Sequence, residues 1–188
     1  ALATETLESG WLSEGARVKA FEQALSTDLG LVRAVAVNSG TAALHLALAV
    51  AGVTSGDEVI LPAQTFVATG TSILMAGAAP VFADIDAGTG NLSPAAVREC
   101  ATERTKAIMP VHWGGYPCEM DEIAAVAEQV GAVVIEDAAH ALGATYRGRA
   151  VGAISPLTIF SFQAIKHLTT GDGGALCCGT EEYESAAR

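Results

Sequence analysis

Short apolar runs and helix-length segments take turns along almost the whole chain, and that alternation leaves few folds open. Val32–Val37 is an apolar run ending at Asn38-Ser39-Gly40, and Thr41–Val50 then reads as a helix. Val59-Ile60-Leu61 is a second strand, stopped by Pro62, with a helix over Phe66–Ala76 and a third strand over Pro80–Ile85. Ser93 and Pro94 form a helix start, an N-cap hydroxyl followed by proline at the first helical position. That helix is predicted to run to Thr102, before a fourth strand at Ala107–Val111. Met120–Gln129 is a helix closed by Gly131, Ala132–Ile135 a fifth strand, and Thr145–Ala150 a small hairpin. Leu157–Phe162 and Gly174–Cys178 complete a set of seven strands. Strands that alternate with helices imply the α/β class, a doubly wound, mostly parallel sheet covered on both faces. Repeats, low-complexity tracts and linkers are absent. The 188 residues, 51% of them hydrophobic, therefore predict one domain over 1–188.

The formal net charge of −11 excludes the basic footprint that nucleic-acid binding needs. An anionic ligand would have to be held locally, by backbone N–H groups and a few cations. The four cysteines, Cys100, Cys118, Cys177 and Cys178, show no CxxC spacing, which argues against zinc and for no metal site. Cys177 and Cys178 are adjacent on a strand and so point to opposite faces. Free thiols in a reducing cytoplasm are the expectation. Neither a signal peptide nor an apolar run of about 18 residues is present, so no membrane span is predicted. The chain begins with Ala, and Glu181–Arg188 looks like the start of a helix, which together suggest part of a longer protein.

In a sheet of this kind ligands bind at the carboxyl ends of the strands. After the first strand, Gly40, Thr41 and Ala42 open a helix whose N–H groups suit a phosphate, or simply make an ordinary capped helix. After the second, Phe66 is either a stacking surface for a planar ring or a core side chain. After the fourth, His112 and Trp113 sit in a glycine loop, lining a pocket or packed on a neighbour. After the fifth come Asp137, which pairs with a cation or caps a helix, and His140, a donor to an anionic oxygen or a satisfied core histidine. After the sixth come Ser161, a second phosphate contact, and Lys166, a buried and activated amine or an exposed loop lysine. A lone lysine beyond one strand and an acid at the end of an earlier one are what pyridoxal 5′-phosphate (PLP) chemistry asks for. The lysine forms a Schiff base with the cofactor and the acid pairs with its pyridinium nitrogen.

These segments together resemble the DegT/DnrJ/StrS family of sugar aminotransferases, fold-type I PLP enzymes. The carrying segments are Ser9–Leu12, Asn38–Leu44, Pro62–Thr69, Pro110–His112, Glu136–Ala141 and Ser161–Lys166, and the resemblance spans nearly the whole chain. It implies a three-layer αβα sandwich whose seven-stranded sheet is mostly parallel with its last-formed strand antiparallel. It also implies a C-terminal small domain that this chain lacks. Lys166 matches the cofactor-linked lysine and Asp137 the pyridine partner. His140 matches the contact to the phenolic oxygen, Phe66 the stacking ring, and Gly40, Thr41, Ala42 and Ser161 the phosphate cradle. Trp113-Gly114 stands where many relatives carry Leu-Tyr, and Asp172 where Glu is commoner.

The activity implied is transfer of an amino group, from glutamate, to a keto-sugar that is nucleotide-linked. PLP would alternate with pyridoxamine 5′-phosphate (PMP) in a homodimer with its site at the interface. Three other readings stand beside it. One is amination of an aminocyclitol- or aminoshikimate-type ketone. Another is a PMP-dependent sugar dehydratase, whose members carry His in place of the lysine, whereas His167 here is one position off. The third is a non-catalytic PLP-binding regulator.

Overall fold

The computed structural model describes residues 2–188. Two helices not anticipated from sequence come first, α1 (Leu2–Ser9) and α2 (Ala16–Leu29). Of α2 only Leu25 is fully buried, with Phe21 and Leu29 packing partly, so its apolar stripe is too sparse to stand out. The alternation then runs β1 (Ala34–Val37), α3 (Gly40–Val50), β2 (Glu58–Pro62), α4 (Val67–Met75), β3 (Ala79–Ala83), α5 (Pro94–Cys100) and β4 (Thr105–Ile108). A short 3₁₀ turn, Trp113–Gly115, precedes α6 (Met120–Val130) and β5 (Val133–Asp137). The hairpin β6 (Thr145–Tyr146) and β7 (Arg149–Ala150) stands apart from the main sheet. β8 (Leu157–Ser161), β9 (Gly174–Cys178) and α7 (Glu181–Ala187) end the chain.

The main sheet has seven strands in the order β1-β9-β8-β5-β4-β2-β3. Pairings among β8, β5, β4, β2 and β3 are parallel, and β9 alone runs antiparallel to both its neighbours. β2 and β9 are buried at every position, as strands covered on two faces must be. On one face α3 and α4 lay Leu44, Leu48 and Ile73 against Leu61, Ile135 and Ile159. On the other, α5 and α6 pack Val97, Ile123 and Val126 against Ile60, Ile108 and Val134, while α2 covers Phe160 and Ala175. Cys177 belongs to the α2 side and Cys178 to the α3 side, on opposite faces as strand alternation requires.

Two caps set where the site forms. Ser39 Oγ accepts from the Ala42 N–H at 3.1 Å and fixes the start of α3 at the carboxyl end of β1. Ser93 does the same for α5 through the Ala96 N–H at 3.4 Å. β1 and β3 are the sheet edges, and the two differ. The Ala36 N–H of β1 is taken by Glu22 Oε1 at 2.8 Å, and Glu22 is held in turn by Arg188. β3 keeps Phe82 exposed, and Pro80 interrupts its free edge.

Candidate active site

A cleft of about 530 Å³ opens at the carboxyl ends of the central strands. It gathers side chains from five separate strand ends: Thr41, Phe66, Trp113, Asp137 with His140, and Ser161 with Lys166. The sheet order explains the meeting, since β8 and β5 are neighbours and β1 lies one strand beyond β8 across β9.

Asp137 closes the floor. It is buried, and both carboxylate oxygens have donors: Thr69 Oγ1 at 2.8 Å and the Ala139 N–H at 3.2 Å. Thr69 Oγ1 lies 2.6 Å from Thr65 Oγ1, so a short chain of hydroxyls leads from the cleft to the acid. Behind it, on the opposite face of β5, Glu136 is fully buried. Glu136 accepts from Thr158 Oγ1 at 2.9 Å and lies 2.7 Å from His112 Nε2. His112 Nδ1 accepts from the Cys118 N–H at 3.1 Å, so Nε2 carries the ring proton and donates it to Glu136. The backbone joins the same knot, with His112 N–H donating to the Asp137 carbonyl and Asp137 N–H to the Pro110 carbonyl. Cys118 sits in this packing, and burial pushes its thiol up to about 12.

Lys166 is half-buried on the loop after β8. Burial lowers its pKa and the nearby Asp137 charge raises it, burial being the larger effect. The pKa of His140 is lowered by burial, then by the Lys166 charge, with Asp137 opposing. His140 therefore favours the neutral imidazole. Its ring lies 5.9 Å from the Trp113 ring, edge to face.

Phe66 turns out not to be a core side chain. It occupies the N-cap position of α4, lines the cleft and is 68% exposed. A ring so placed offers a flat apolar face to a ligand. Opposite it, the start of α3 meets the end of β8. A Cβ added at Gly40 would come 2.9 Å from Ser161 Cβ, so only glycine lets the helix start lie beside this hydroxyl. Gly174, the first residue of β9, is tighter still, because a Cβ there would lie 2.5 Å from the Ser39 carbonyl carbon. The Ala42 N–H is committed to the Ser39 cap. Among the described residues, the N–H groups of Gly40 and Thr41 bond to nothing in the chain and face outward from the helix start. That corner suits an anion.

The residues therefore fit a flat, phosphorylated, aldehyde-bearing heteroaromatic such as PLP. They offer an apolar face, an anion corner, a carboxylate oriented by two donors, and a primary amine of lowered pKa. The contact of Thr69 with Asp137 and the approach of Gly174 to Ser39 were not foreseen from the sequence. Thr65 and Thr69, four apart at a helix start, were the available signal for the hydroxyl chain. Among the described residues no group of His, Cys, Asp and Glu is arranged to hold a metal ion, and no helix is long and apolar enough to cross a membrane.

A three-layer αβα sandwich with this cleft is the architecture of the aminotransferase fold. The family model described as the DegT/DnrJ/EryC1/StrS aminotransferase family matches residues 1–188, and the chain belongs to that family. It is 51% identical over 185 residues to the spore coat polysaccharide biosynthesis protein SpsC of Bacillus subtilis, covering 98% of this chain and 48% of that protein. Among solved structures it is similar to DesI in the presence of its TDP-sugar product, with a TM-score of 0.92 and 40% identity over 99% of this chain and 47% of that one. It is also similar to 3-amino-5-hydroxybenzoic acid synthase, with a TM-score of 0.91 and 43% identity over 97% of this chain and 49% of that one. The chain spans about half the length of the relatives it matches.

Proposed function

We propose that the protein is a PLP-dependent aminotransferase that moves an amino group, from glutamate, to a keto-sugar carried on a nucleotide. The observation that carries this reading is the conjunction of Lys166, Asp137 and the exposed Phe66 face around one cleft with an anion corner. The likeness to DesI, solved with its TDP-sugar product, supports a nucleotide-linked acceptor.

PLP, when bound, supplies an electron-withdrawing ring and an aldehyde carbon that carries nitrogen between the two substrates, alternating with PMP. Lys166 would hold the cofactor through its amine. With that amine free it would take the proton from the donor's Cα as general base, and its lowered pKa keeps a larger share of the amine neutral for that task. Asp137 would hold a proton on the pyridine nitrogen, its oxygens aimed by Thr69 and Ala139. His140 would donate to the phenolic oxygen, and Phe66 would offer its face to the ring. The Gly40 and Thr41 N–H groups and the Ser161 hydroxyl would receive the phosphate, with Ala42 beside them. Changing Lys166 to Ala should abolish turnover. Borohydride reduction of the PLP-loaded protein followed by peptide mass spectrometry should put the pyridoxyl mass on Lys166. A pyridoxyl label elsewhere, or full activity in the Ala variant, would sink the assignment.

A homodimer belongs to this reading. α4 buries Ala68, Thr69, Ser72 and Ile73 and leaves Val67, Leu74 and Met75 in solvent, next to Phe66. An uncharged apolar face that starts at Phe66 on the cleft and continues along α4 suits a second copy. Cytoplasmic residence goes with the four free cysteines. The likeness to 3-amino-5-hydroxybenzoic acid synthase favours one other acceptor, a carbocyclic ketone, which the same cleft would serve.

A further inference from the structure

One wall of the cleft is fixed by a residue that does not reach the cleft itself. Asn91, in the loop between β3 and α5, is 4% exposed. Its amide nitrogen donates to the Tyr116 carbonyl at 2.8 Å, and its amide oxygen accepts from the Trp113 N–H at 2.9 Å. Those bonds straddle the 3₁₀ turn Trp113–Gly115, so a single side chain clamps both ends of the turn. The loop that carries Asn91 is braced in its own right. Asp86 Oδ1 accepts from the Gly88 N–H at 3.0 Å, the Thr89 N–H at 2.9 Å and the Thr89 hydroxyl at 3.1 Å. The Asp86 N–H donates to the Asn91 carbonyl at 2.8 Å.

The indole itself is bounded on two sides. A Cβ at Gly90, where φ is +74°, would come 3.4 Å from Trp113 Cδ1, so the loop backbone runs beside the ring. His140 packs against another edge. Gly115, with φ +87°, brings the turn so near that a Cβ there would lie 2.7 Å from the His140 carbonyl oxygen. Trp113 nevertheless stays 38% exposed and faces the same cleft as Lys166. A surface indole with nothing to meet gains little from such restraint. A wall that must meet a ring at a set distance gains affinity from being rigid beforehand.

We propose that Trp113 is the surface on which the ring of the acceptor ketone rests, a six-membered ring presenting C–H groups on one face, and that Asn91 is the positioning residue that fixes it. This rests on the aminotransferase reading above and narrows it. The apolar ring face and the indole complement each other, while the donor amino acid has no ring to offer.

The test separates the two halves of the reaction. Asn91→Leu keeps the volume and removes both hydrogen bonds. With a TDP-linked keto-hexose as probe, its KM should rise about tenfold while the rate at saturating acceptor changes less than about threefold. Conversion of bound PLP to PMP by glutamate, followed by absorbance, should also stay within about threefold. Asn91→Asp keeps an acceptor for the Trp113 N–H but turns an oxygen toward the Tyr116 carbonyl, so it should recover only part of the affinity. Trp113→Leu, on the surface, should raise KM as Asn91→Leu does, and the double variant should add little, because one brace serves one wall. Equal slowing of both half-reactions, or an unchanged KM in Trp113→Leu, overturns the proposal. These two variants decide it even where Asn91→Leu does not fold.

A second arm needs no substrate. With Trp11→Phe, Trp113 is the sole tryptophan. Bound PLP should then quench its emission, and Asn91→Leu should lower its anisotropy. Unaltered anisotropy refutes the brace. Failure of the unmodified, PLP-loaded protein on both keto-hexose and carbocyclic ketone refutes the aminotransferase acceptor instead, and leaves the brace to be judged by anisotropy.

Discussion

The two sides of the cleft that carry its reactive groups are built in opposite ways. Asp137 stands on a strand, buried, with both oxygens bonded, backed by the closed network of Glu136, Thr158, His112 and Cys118. Lys166 stands on a loop whose neighbour Ile165 is 84% exposed and whose bonds are short-range: Lys166 N–H to the Gln163 carbonyl, Thr170 N–H to the Phe162 carbonyl. One side is set by folding. The other is set locally, and Phe66 and Ile165 beside it stay exposed among the described residues. A rigid acid and an adaptable amine would suit the proposed reaction, in which the acid keeps one proton in place while the amine moves another.

That contrast predicts where damage goes. On the loop side, Lys166→Ala should cost all measurable turnover and leave thermal stability within about one degree, because a half-buried loop side chain contributes little to the core. On the strand side, Glu136→Leu should do the reverse. It leaves the His112 Nε2–H and the Thr158 hydroxyl buried without acceptors, a loss of about 3 kcal/mol in urea unfolding. If Glu136→Leu unfolds at the same urea concentration as the unmodified protein, the strand side is not the rigid one.

A glycine change tests the corner between the sides. Gly174→Ala puts a methyl into the Ser39 carbonyl, which is backbone and cannot swing away. Phosphate binding should weaken, with the Kd for PLP rising about tenfold through displacement of the α3 start. The methyl of Gly40→Ala would lie 2.9 Å from Ser161 Cβ, a milder overlap than the 2.5 Å at Gly174, and should cost less. Titration of PLP absorbance ranks the two, and the opposite order would shift the corner's tight point from β9 to β8.

Much of this was legible in the sequence where a polar residue ends an apolar run. Asp137 and Lys166 follow runs whose burial is unmistakable, and the seven strands appear with ends off by only a few residues. The unforeseen features are those whose partners lie far apart in sequence. Thr69 meets Asp137 across 68 positions, and Asn91 meets Trp113 across 22. A polar residue near a helix start reads as a cap until the fold shows what it faces. Phe66 stood open in the sequence between a stacking surface and a core side chain, and the fold keeps it out of the core. Aromatic side chains are usually buried, but the N-cap position of α4 lies on the cleft, so Phe66 stays in solvent. The helix α2 was hidden because it leans on few apolar side chains and uses Glu22 to close the edge of β1.

The smallest effect is a pH shift, and its direction is fixed by the two sides facing each other. In the cofactor-free protein, burial lowers the Lys166 pKa and Asp137 raises it. An amine must be neutral to add to an aldehyde, so pyridoxal capture should reach its midpoint below the ordinary lysine value of about 10.4. Asp137→Asn removes a nearby charge that raises this pKa, and the midpoint should fall further. Between the folded and unfolded lysine values the unfolded chain binds more protons, so this residue makes stability rise with pH there, and in Asp137→Asn the rise should begin lower. His140 gives the matching sign. The Lys166 charge lowers its pKa, so Lys166→Ala should raise it, whereas Asp137→Asn should lower it. Proton NMR of the His140 ring in the two variants measures both shifts. Movement in the same direction would mean that the amine and the acid do not face His140 from opposite electrical sides, and the adaptable side of the cleft would then lie farther from the rigid one than the geometry shows.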